Sequence, residues 1–264
     1  MIGIYSCTEN GTPIKCGCYL MTYPGGKSGP GVFQTLINQI PPHGVYVSAT
    51  VGQDAVLQNI QPANRSIAID PDPSPLKWWA QRRKDVELYN CCGVEWLEWT
   101  FSNHRFMPAR SQKKAFLERF RDWFVFIDAP YPVDVRSSKK RMYAVEQMEW
   151  PWHKRMLQLA KTLPCMVMIC CYPNDVYDDA LSDWRTKDYF STARSGEKRR
   201  ERIWMNYDEP KSLHDYRYLG KDKRQRERIK RQQKNFKTKL ERMTDLERKA
   251  IIRHASAIIM ESEQ

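Results

Sequence analysis

Trp123-Phe124-Val125-Phe126-Ile127-Asp128-Ala129-Pro130-Tyr131-Pro132 is the stretch on which the fold turns. Its first five residues are β-branched or aromatic and read as a buried strand. Pro130 and Pro132 stop that strand, because proline has no N–H for a ladder and fixes its own φ. The strand therefore delivers a carboxylate, a carbonyl and a phenol ring to one edge of a sheet. In open α/β sheets the C-terminal edge is where ligands bind. Taken alone, the stretch is equally a strand followed by a turn with a capping Asp, so the surrounding chain has to decide.

Upstream, Val45–Ala49 is a first core strand, Val51–Ala55 a turn into a short helix, and Ser66–Asp70 a second strand ending in an acid. A strand, a glycine turn, a short helix and an acid 18 residues after Gly52 make a nucleotide-binding βαβ half. There is no full Gly-x-Gly-x-x-Gly, which argues against a dinucleotide. Before it lies Tyr23-Pro24-Gly25-Gly26-Lys27-Ser28-Gly29-Pro30-Gly31, whose glycines let backbone approach a ligand and whose lysine can meet an anion. It lacks P-loop spacing. Val32–Ile40 reads as a short helix, Asp72–Arg83 as a helix, Val86–Cys92 as a third strand and Gly93–Phe101 as a helix. After the Asp128 strand come a loop and helix over Ser137–Lys161, and an apolar strand over Pro164–Tyr172. An antiparallel hairpin then turns at Ser195-Gly196-Glu197. Residues 1–22 read as an irregular or hairpin-forming lead-in around Asn10-Gly11. From Arg217 onward the chain reads as one long basic helix, with Ile229, Phe236, Leu240 and Met243 as a packed stripe.

The 264 residues fit one large α/β domain, with 41% hydrophobic content arguing for a folded core. The formal charge of +12 points to a polyanionic partner, most simply nucleic acid, against a basic solubility surface or an anionic membrane patch. No apolar run approaches the roughly 18 residues of a membrane span, and residues 1–9 lack the basic and apolar regions of a signal peptide. A cytoplasmic protein without a membrane partner is expected. Its eight cysteines are expected to be free thiols. Cys16-x-Cys18 has no second pair at zinc-finger spacing, so no structural metal is expected.

An acid-x-Pro-Tyr at the end of the fourth strand, after a glycine-containing nucleotide half, resembles the amino-group DNA methyltransferases with their Asp-Pro-Pro-Tyr motif. The order of segments is similar to the Dam-type adenine class. There an aromatic-x-Gly-Gly-Lys segment comes first, here Tyr23–Lys27. Asp134–Ser138 and Met142–Glu146 look like the post-catalytic loop. Glu201–Tyr207, Leu213–Tyr216 and Leu219-Gly220 resemble the closing segments of short, prophage-type members. The resemblance covers about residues 20–235. It departs from the family in three places. Ala129 replaces the first proline, Ser48–Asp54 stands where Glu-Pro-Phe and Gly-x-Gly are usual, and Cys92-Gly93 replaces an acid near the cofactor's adenine.

The resemblance implies a Rossmann-like S-adenosylmethionine-dependent methyltransferase fold, with a mixed seven-stranded sheet ending in an antiparallel hairpin. It implies a lead-in over 1–22 and a catalytic domain over 23–216 with a small basic insertion near 102–120. A basic helical extension over 217–264 would pack on that domain. Asp128, Ala129, Pro130 and Tyr131 are the implied catalytic residues. Asp128 and the residue-129 carbonyl would accept the two N–H bonds of an exocyclic amine, while Tyr131 stacks on the base. Tyr23, Gly25, Gly26, Lys27, Ser48, Gly52, Asp70, Asp72, Cys92 and Gly93 are implied for S-adenosylmethionine, with Lys27 on its carboxylate and Asp70 on its ribose. Phosphate contacts would come from Arg136, Lys139, Lys140, Arg141, Arg194, Lys198, Arg199 and Arg200. Lys223, Arg224, Arg226 and Arg228 lie behind them. The expected activity is adenine-N6 methylation of a flipped-out base in DNA, with the oligomeric state left open and a monomer favoured. The interval between Gly52 and Asp128 is short for a recognition domain, so a short or relaxed target is expected. Protection of phage DNA from restriction follows by analogy only. Transfer to cytosine N4 or to RNA is the competing chemistry, and a nucleic-acid-binding protein that has lost catalysis is the competing class.

Overall fold

The computed structural model describes residues 4–6, 27–102, 118–136, 149–192 and 196–262. The quoted stretch forms β5 (Trp123–Ile127), and Phe124 to Ile127 are all essentially inaccessible to solvent. A run that is apolar on both faces is what a central strand of a covered parallel sheet requires. Four other strands run parallel with it: β2 (Val45–Ser48), β3 (Arg65–Ile69), β4 (Val86–Asn90) and β6 (Met166–Cys171). β7 (Arg185–Thr192) and β8 (Lys198–Met205) form the antiparallel hairpin, with β8 against β6. β1 (Ile4–Ser6) adds a parallel strand beside β4. The sheet order is β1-β4-β3-β2-β5-β6-β8-β7. The expected seven-stranded mixed sheet is thus present, and the lead-in contributes an eighth short strand at its edge.

From β2 the chain winds to β3 and β4 on one side, then returns to β5 and winds to β6 on the other. The switch point therefore falls between β2 and β5, and the carboxyl ends of these strands are where an open α/β sheet has its ligand crevice. Val47, Ile67, Val125 and Val167 share one face by register and pack with α4 (Gly93–Ser102) and α5 (Trp150–Thr162). The remaining crossovers are α1 (Val32–Ile37), α2 (Ala55–Asn59), α3 (Pro73–Arg82) and α6 (Asp175–Ala180). α1 stops at Ile37, short of the Ile40 expected from its apolar spacing.

Two hydrogen bonds tie the β2 loop to β5. Ala49 N–H donates to the Phe126 carbonyl at 3.0 Å, and Asp128 N–H donates to Thr50 Oγ1 at 3.1 Å. Gly52 turns the chain at φ 40°. Its N–H reaches Asp70 Oδ2 at 2.8 Å, and its carbonyl accepts from the buried Trp79 Nε1 at 2.9 Å. A side chain at this φ would be strained. Gly93 is needed for a different reason: a Cβ there would lie 1.8 Å from the Ala49 carbonyl oxygen.

The chain divides into two compact units, residues 1–216 and 217–264. The second unit holds two helices, α7 (Lys223–Glu241) and α8 (Asp245–Ser262), where one long helix was expected. The break is a capping box. The Thr244 N–H and hydroxyl both donate to Glu247 Oε2 at 2.8 Å, which starts a new helix. Along α7, Ile229 and Leu240 are partly buried and Phe236 is half exposed. Among the described residues, no helix is long and apolar enough to cross a membrane.

Gly93→Ala is expected to lower the unfolding free energy by about 1–3 kcal/mol, because the new methyl group meets backbone and not a movable side chain. Denaturant unfolding with an unchanged m-value would show this, whereas wild-type stability would mean that α4 and the β2 loop separate freely.

Candidate active site

β5 ends at Asp128, and three elements bring partners to it. Lys27 Nζ lies 2.9 Å from Asp128 Oδ1 and 3.1 Å from Glu201 Oε2, with lysine and glutamate both buried. Lys27 also donates to the Tyr131 hydroxyl oxygen at 2.7 Å. The Tyr131 hydroxyl donates to Glu201 Oε2 at 2.6 Å, and the Tyr189 hydroxyl donates to the same oxygen at 2.8 Å. Tyr189 stands directly opposite Glu201 in the hairpin register, so the pairing of β7 and β8 builds this half of the cluster. The Tyr131 ring meets Tyr172 edge-on, with centroids 4.7 Å apart.

One ammonium and two carboxylates leave this buried cluster one negative charge in excess. Burial alone would lower the Lys27 pKa, but Asp128 and Glu201 override it and hold the amine well above its usual value. Burial raises Asp128 to about 6 in spite of the neighbouring ammonium. Burial also pushes Glu201 upward, but Lys27 and the hydroxyls of Tyr131 and Tyr189 pull it down to about 2. Glu201 is therefore the firmly ionised member of the pair, and Asp128 is the one that titrates.

Behind the loop, His153 on α5 is fully buried. Its Nδ1 lies 2.7 Å from the Tyr177 hydroxyl, and burial lowers its pKa to about 4. It supports the Pro130 segment as a neutral ring.

The cofactor half is held by backbone bonds. Asp70 Oδ2 accepts from Gly52 N–H, and its Oδ1 accepts from Asp72 N–H at 2.9 Å. Burial raises Asp70 to about 6. Asp72 caps α3 by accepting from Ser74 N–H at 2.9 Å. Asn90 donates to the Asp70 and Pro71 carbonyls at 3.0 and 3.1 Å, fixing the β3 end against β4. Ser48, expected at the cofactor, is buried and donates to Asp54 Oδ2 at 2.9 Å. Asp54 also accepts from the N–H groups of Val56 and Leu57 as the cap of α2. Ser48 therefore positions the turn from below. Cys92 packs against the core beside Gly93.

Several expected site residues converge and others do not. Lys27, Asp128 and Tyr131 meet at one point, with Asp70, Gly52 and Gly93 beside the same crevice. Lys27 was expected on a cofactor carboxylate, but its ammonium is committed to Asp128 and Glu201. Tyr131 was expected to present a ring to a base, and here its hydroxyl is held by Glu201. Arg136 is buried, Arg199 half-buried, and Lys198 and Arg200 exposed. Lys223, Arg224 and Arg228 are exposed on α7, and Arg226 is half-buried. Tyr23, Gly25, Gly26, Lys139, Lys140, Arg141 and Arg194 lie outside the described residues, as do the Asn10-Gly11 turn, Met142–Glu146 and most of the 102–120 insertion.

Glu201 was quoted in the resemblance but given no role. The signal was strand parity. In Lys198–Met205 it alternates with Ile203 and Met205, both buried, which puts it on the inward face among outward arginines.

No protein-family model matches the chain, and no curated protein matches its sequence. Among solved structures, the N-methyltransferase NodS from Bradyrhizobium japonicum WM9 is similar at 9% identity and a TM-score of 0.40, over 66% of this chain and 93% of that one. Human methyltransferase-like protein 13 in complex with SAH is similar at 13% identity and a TM-score of 0.38, over 71% and 79%. At TM-scores below 0.5 neither likeness carries an argument, and the fold rests on the strand order. The strand order, five parallel central strands flanked by the β8-β7 hairpin, is the Rossmann-like fold of S-adenosylmethionine-dependent methyltransferases.

Glu201→Gln is expected to lower stability by about 3 kcal/mol, since it strips a buried ammonium of one of its carboxylates. Glu197→Gln, at an exposed pair with Arg199, is expected to cost less than about 1 kcal/mol. Equal effects in denaturant unfolding would show that the cluster is not a buried charge centre.

Proposed function

We propose that the protein transfers a methyl group from S-adenosylmethionine to an exocyclic amine, and that its substrate is an adenine N6 in DNA. The observation that carries this reading is the meeting of Asp128 and Tyr131 with a nucleotide-binding half across one switch-point crevice. An exocyclic amine is a poor nucleophile because its lone pair is delocalised into the ring. Two acceptors that hold both N–H bonds favour a tetrahedral nitrogen with a directed lone pair. Lys27 and Tyr131 both engage Asp128 Oδ1, and Oδ2 makes no hydrogen bond among the described residues. Oδ2 is the acceptor assigned to the amine, and the Ala129 carbonyl is the second. A carbonyl does not depend on its side chain, so alanine preserves this role. Glu201 fixes the Tyr131 ring by its hydroxyl, which leaves the ring oriented for contact with the base.

The residues present fit the cofactor. Each Asp70 oxygen accepts one backbone bond and has a further lone pair for a ribose hydroxyl. Asp72 uses one oxygen for its cap and keeps the other. The excess negative charge around Lys27 suits a cation. When bound, the cofactor supplies an electrophilic sulfonium methyl. Asp128 and the Ala129 carbonyl position the amine, and the Gly52 turn and Asp70 orient the nucleoside end. DNA as substrate draws support from the net charge of +12 and from the arginines of β8 beside the Asp128 edge. A duplex adenine has to be flipped out to reach that edge.

Nucleoside mass spectrometry after incubation with DNA and S-adenosylmethionine is expected to show 6-methyladenine with the wild type and none with Asp128→Ala. Equal product from both would sink this mechanism. The pH profile gives a second test, because Asp128 accepts only as the carboxylate. The rate is expected to rise with pH through about 6, the raised value at Asp128. Glu201 raises the Asp128 pKa by its charge, so Glu201→Gln should move that inflection to lower pH. An inflection that stays or moves upward would remove Asp128 as the titrating group.

A further inference from the structure

α8 lies beyond the stretch that resembles a known family, and the candidate active site draws nothing from it. Its middle reads Ile251-Ile252-Arg253-His254-Ala255-Ser256-Ala257-Ile258-Ile259, with two isoleucine pairs placed symmetrically about Ala255. At about 3.6 residues per turn, positions three and four away from Ala255 in either direction fall on the face that Ala255 marks. The four isoleucines and the alanine therefore form one apolar stripe, as wide as the core-facing side of a helix in a globular protein. The stripe is in water. Every residue from 249 to 261 is exposed, and the isoleucines keep between 41% and 59% of their surface. Helices in proteins take most of their stability from a packed apolar face, so an exposed one of this width calls for a cover.

The rest of the described surface offers little that could provide it. Among the described residues, the first unit exposes three large hydrophobic side chains, Trp99, Phe190 and Tyr216, on three separate segments. The exposed large aliphatic side chains all fall in the second unit. A lipid interface fits poorly, because it needs a strongly charged far side. On the far side of α8, Leu246, Ala250, Ala257 and Met260 stand beside Lys249 and Arg253. The stripe is instead complementary to itself. Reversing the helix about Ala255 leaves its apolar pattern unchanged, which is what a two-fold contact between identical surfaces requires. An antiparallel pair sets Ile251 against the partner's Ile259 and Ile252 against the partner's Ile258. The two Ala255 methyl groups meet at the crossing, so that large side chains flank small ones. Charge selects the same direction. Arg248 continues the stripe one turn towards the N-terminus. A parallel pair would set it against the partner's Arg248, whereas the antiparallel pair brings it beside the partner's Glu261.

We propose that α8 is a self-association helix, through which two copies of this chain pair antiparallel along Ile251, Ile252, Ala255, Ile258 and Ile259. The occupant is a second copy because the face is symmetric under reversal and because like charges oppose the parallel alternative. A contact of about two and a half helical turns is smaller than the roughly 1,600 Å² of a standard interface, so the dimer forms and dissociates with concentration. The pairing stands independently of the methyl-transfer reading.

Equilibrium sedimentation of the full chain, from about 1 to 100 μM, reads the mass in solution. It is expected to rise with concentration from that of one chain towards that of two. Ile252→Lys and Ile258→Glu are each expected to weaken the association about a hundredfold, since each pair then sets two charges against isoleucine. Mixed in equal amounts, the two variants should dimerise again, because the antiparallel register places position 252 of one chain against position 258 of the other. Leu246→Lys, on the far side of the helix, should associate like the wild type. Wild-type association in Ile252→Lys, equal loss in Leu246→Lys, or a mixture that stays monomeric would each overturn the proposal. A wild type that remains a single chain but sediments with phosphatidylcholine–phosphatidylserine vesicles, and loses this in Ile252→Lys, would assign the stripe to a lipid surface and overturn the pairing. A single chain whose melting temperature falls in Ile252→Lys would assign it to a contact within the chain and overturn it equally.

Discussion

A buried ammonium between two carboxylates organises the functional edge of this protein. Lys27 could not stay charged in an apolar site, and neither Asp128 nor Glu201 could stay ionised there alone. Together they form a group in which each charge is the condition for the others. The hydroxyls of Tyr131 and Tyr189 complete it by donating to the same Glu201 oxygen. The cluster joins three distant parts of the chain: the glycine-rich entry segment, the end of β5 and the β8 strand. It thereby closes the sheet edge where the hairpin meets the parallel strands. The same charges set the chemistry available there. Three ionisable groups with unequal burial share protons unequally, and Asp128 is left as the member that changes state near neutrality.

The other half of the crevice is built on a different principle. It has few charges, and its form is fixed by backbone groups. Gly52 gives its N–H to Asp70 and its carbonyl to Trp79, while Gly93 brings the start of α4 against the Ala49 carbonyl. The turn after β2 carries a single glycine, Gly52, and the end of β4 carries Cys92 where a polar group could have stood. The turn survives because Asp54 and Asp70 take over its backbone donors. Side-chain carboxylates here hold backbone N–H groups in place while Gly52 alone supplies the positive φ of the turn.

These two principles explain what was legible in the sequence. β5 was legible because a strand buried on both faces has to be continuously apolar, and proline has to end it. Asp70 was legible by spacing, since a βαβ half places its second acid at a set distance from the glycine turn. The partners of Asp70 were not legible, because spacing locates a carboxylate without saying which N–H reaches it. Gly93 looked like part of an eroded motif, and only the packed structure shows a backbone oxygen where its Cβ would be. Glu201 was hidden by composition, as one acid among Lys198, Arg199, Arg200 and Arg202 reads as a solvated strand. Parity with Ile203 and Met205 was present in the sequence and points inward. The two-helix form of residues 223–262 was also encoded locally, in Thr244-Asp245-Leu246-Glu247, but the long basic run drew the reading towards one continuous helix.

Lys27 and Arg136 are both cations withdrawn from water on either side of Asp128, and the protein treats them in opposite ways. Lys27 receives two carboxylates and a phenol, so it is neutralised within the fold. Among the described residues Arg136 meets no acceptor, and Asp134, two residues before it, accepts from Trp150 Nε1 instead. A fold selected for stability alone would turn Asp134 towards the guanidinium or replace the arginine with an apolar side chain. The Lys27 cluster therefore belongs to the construction of the site, and the Arg136 guanidinium takes no part in it.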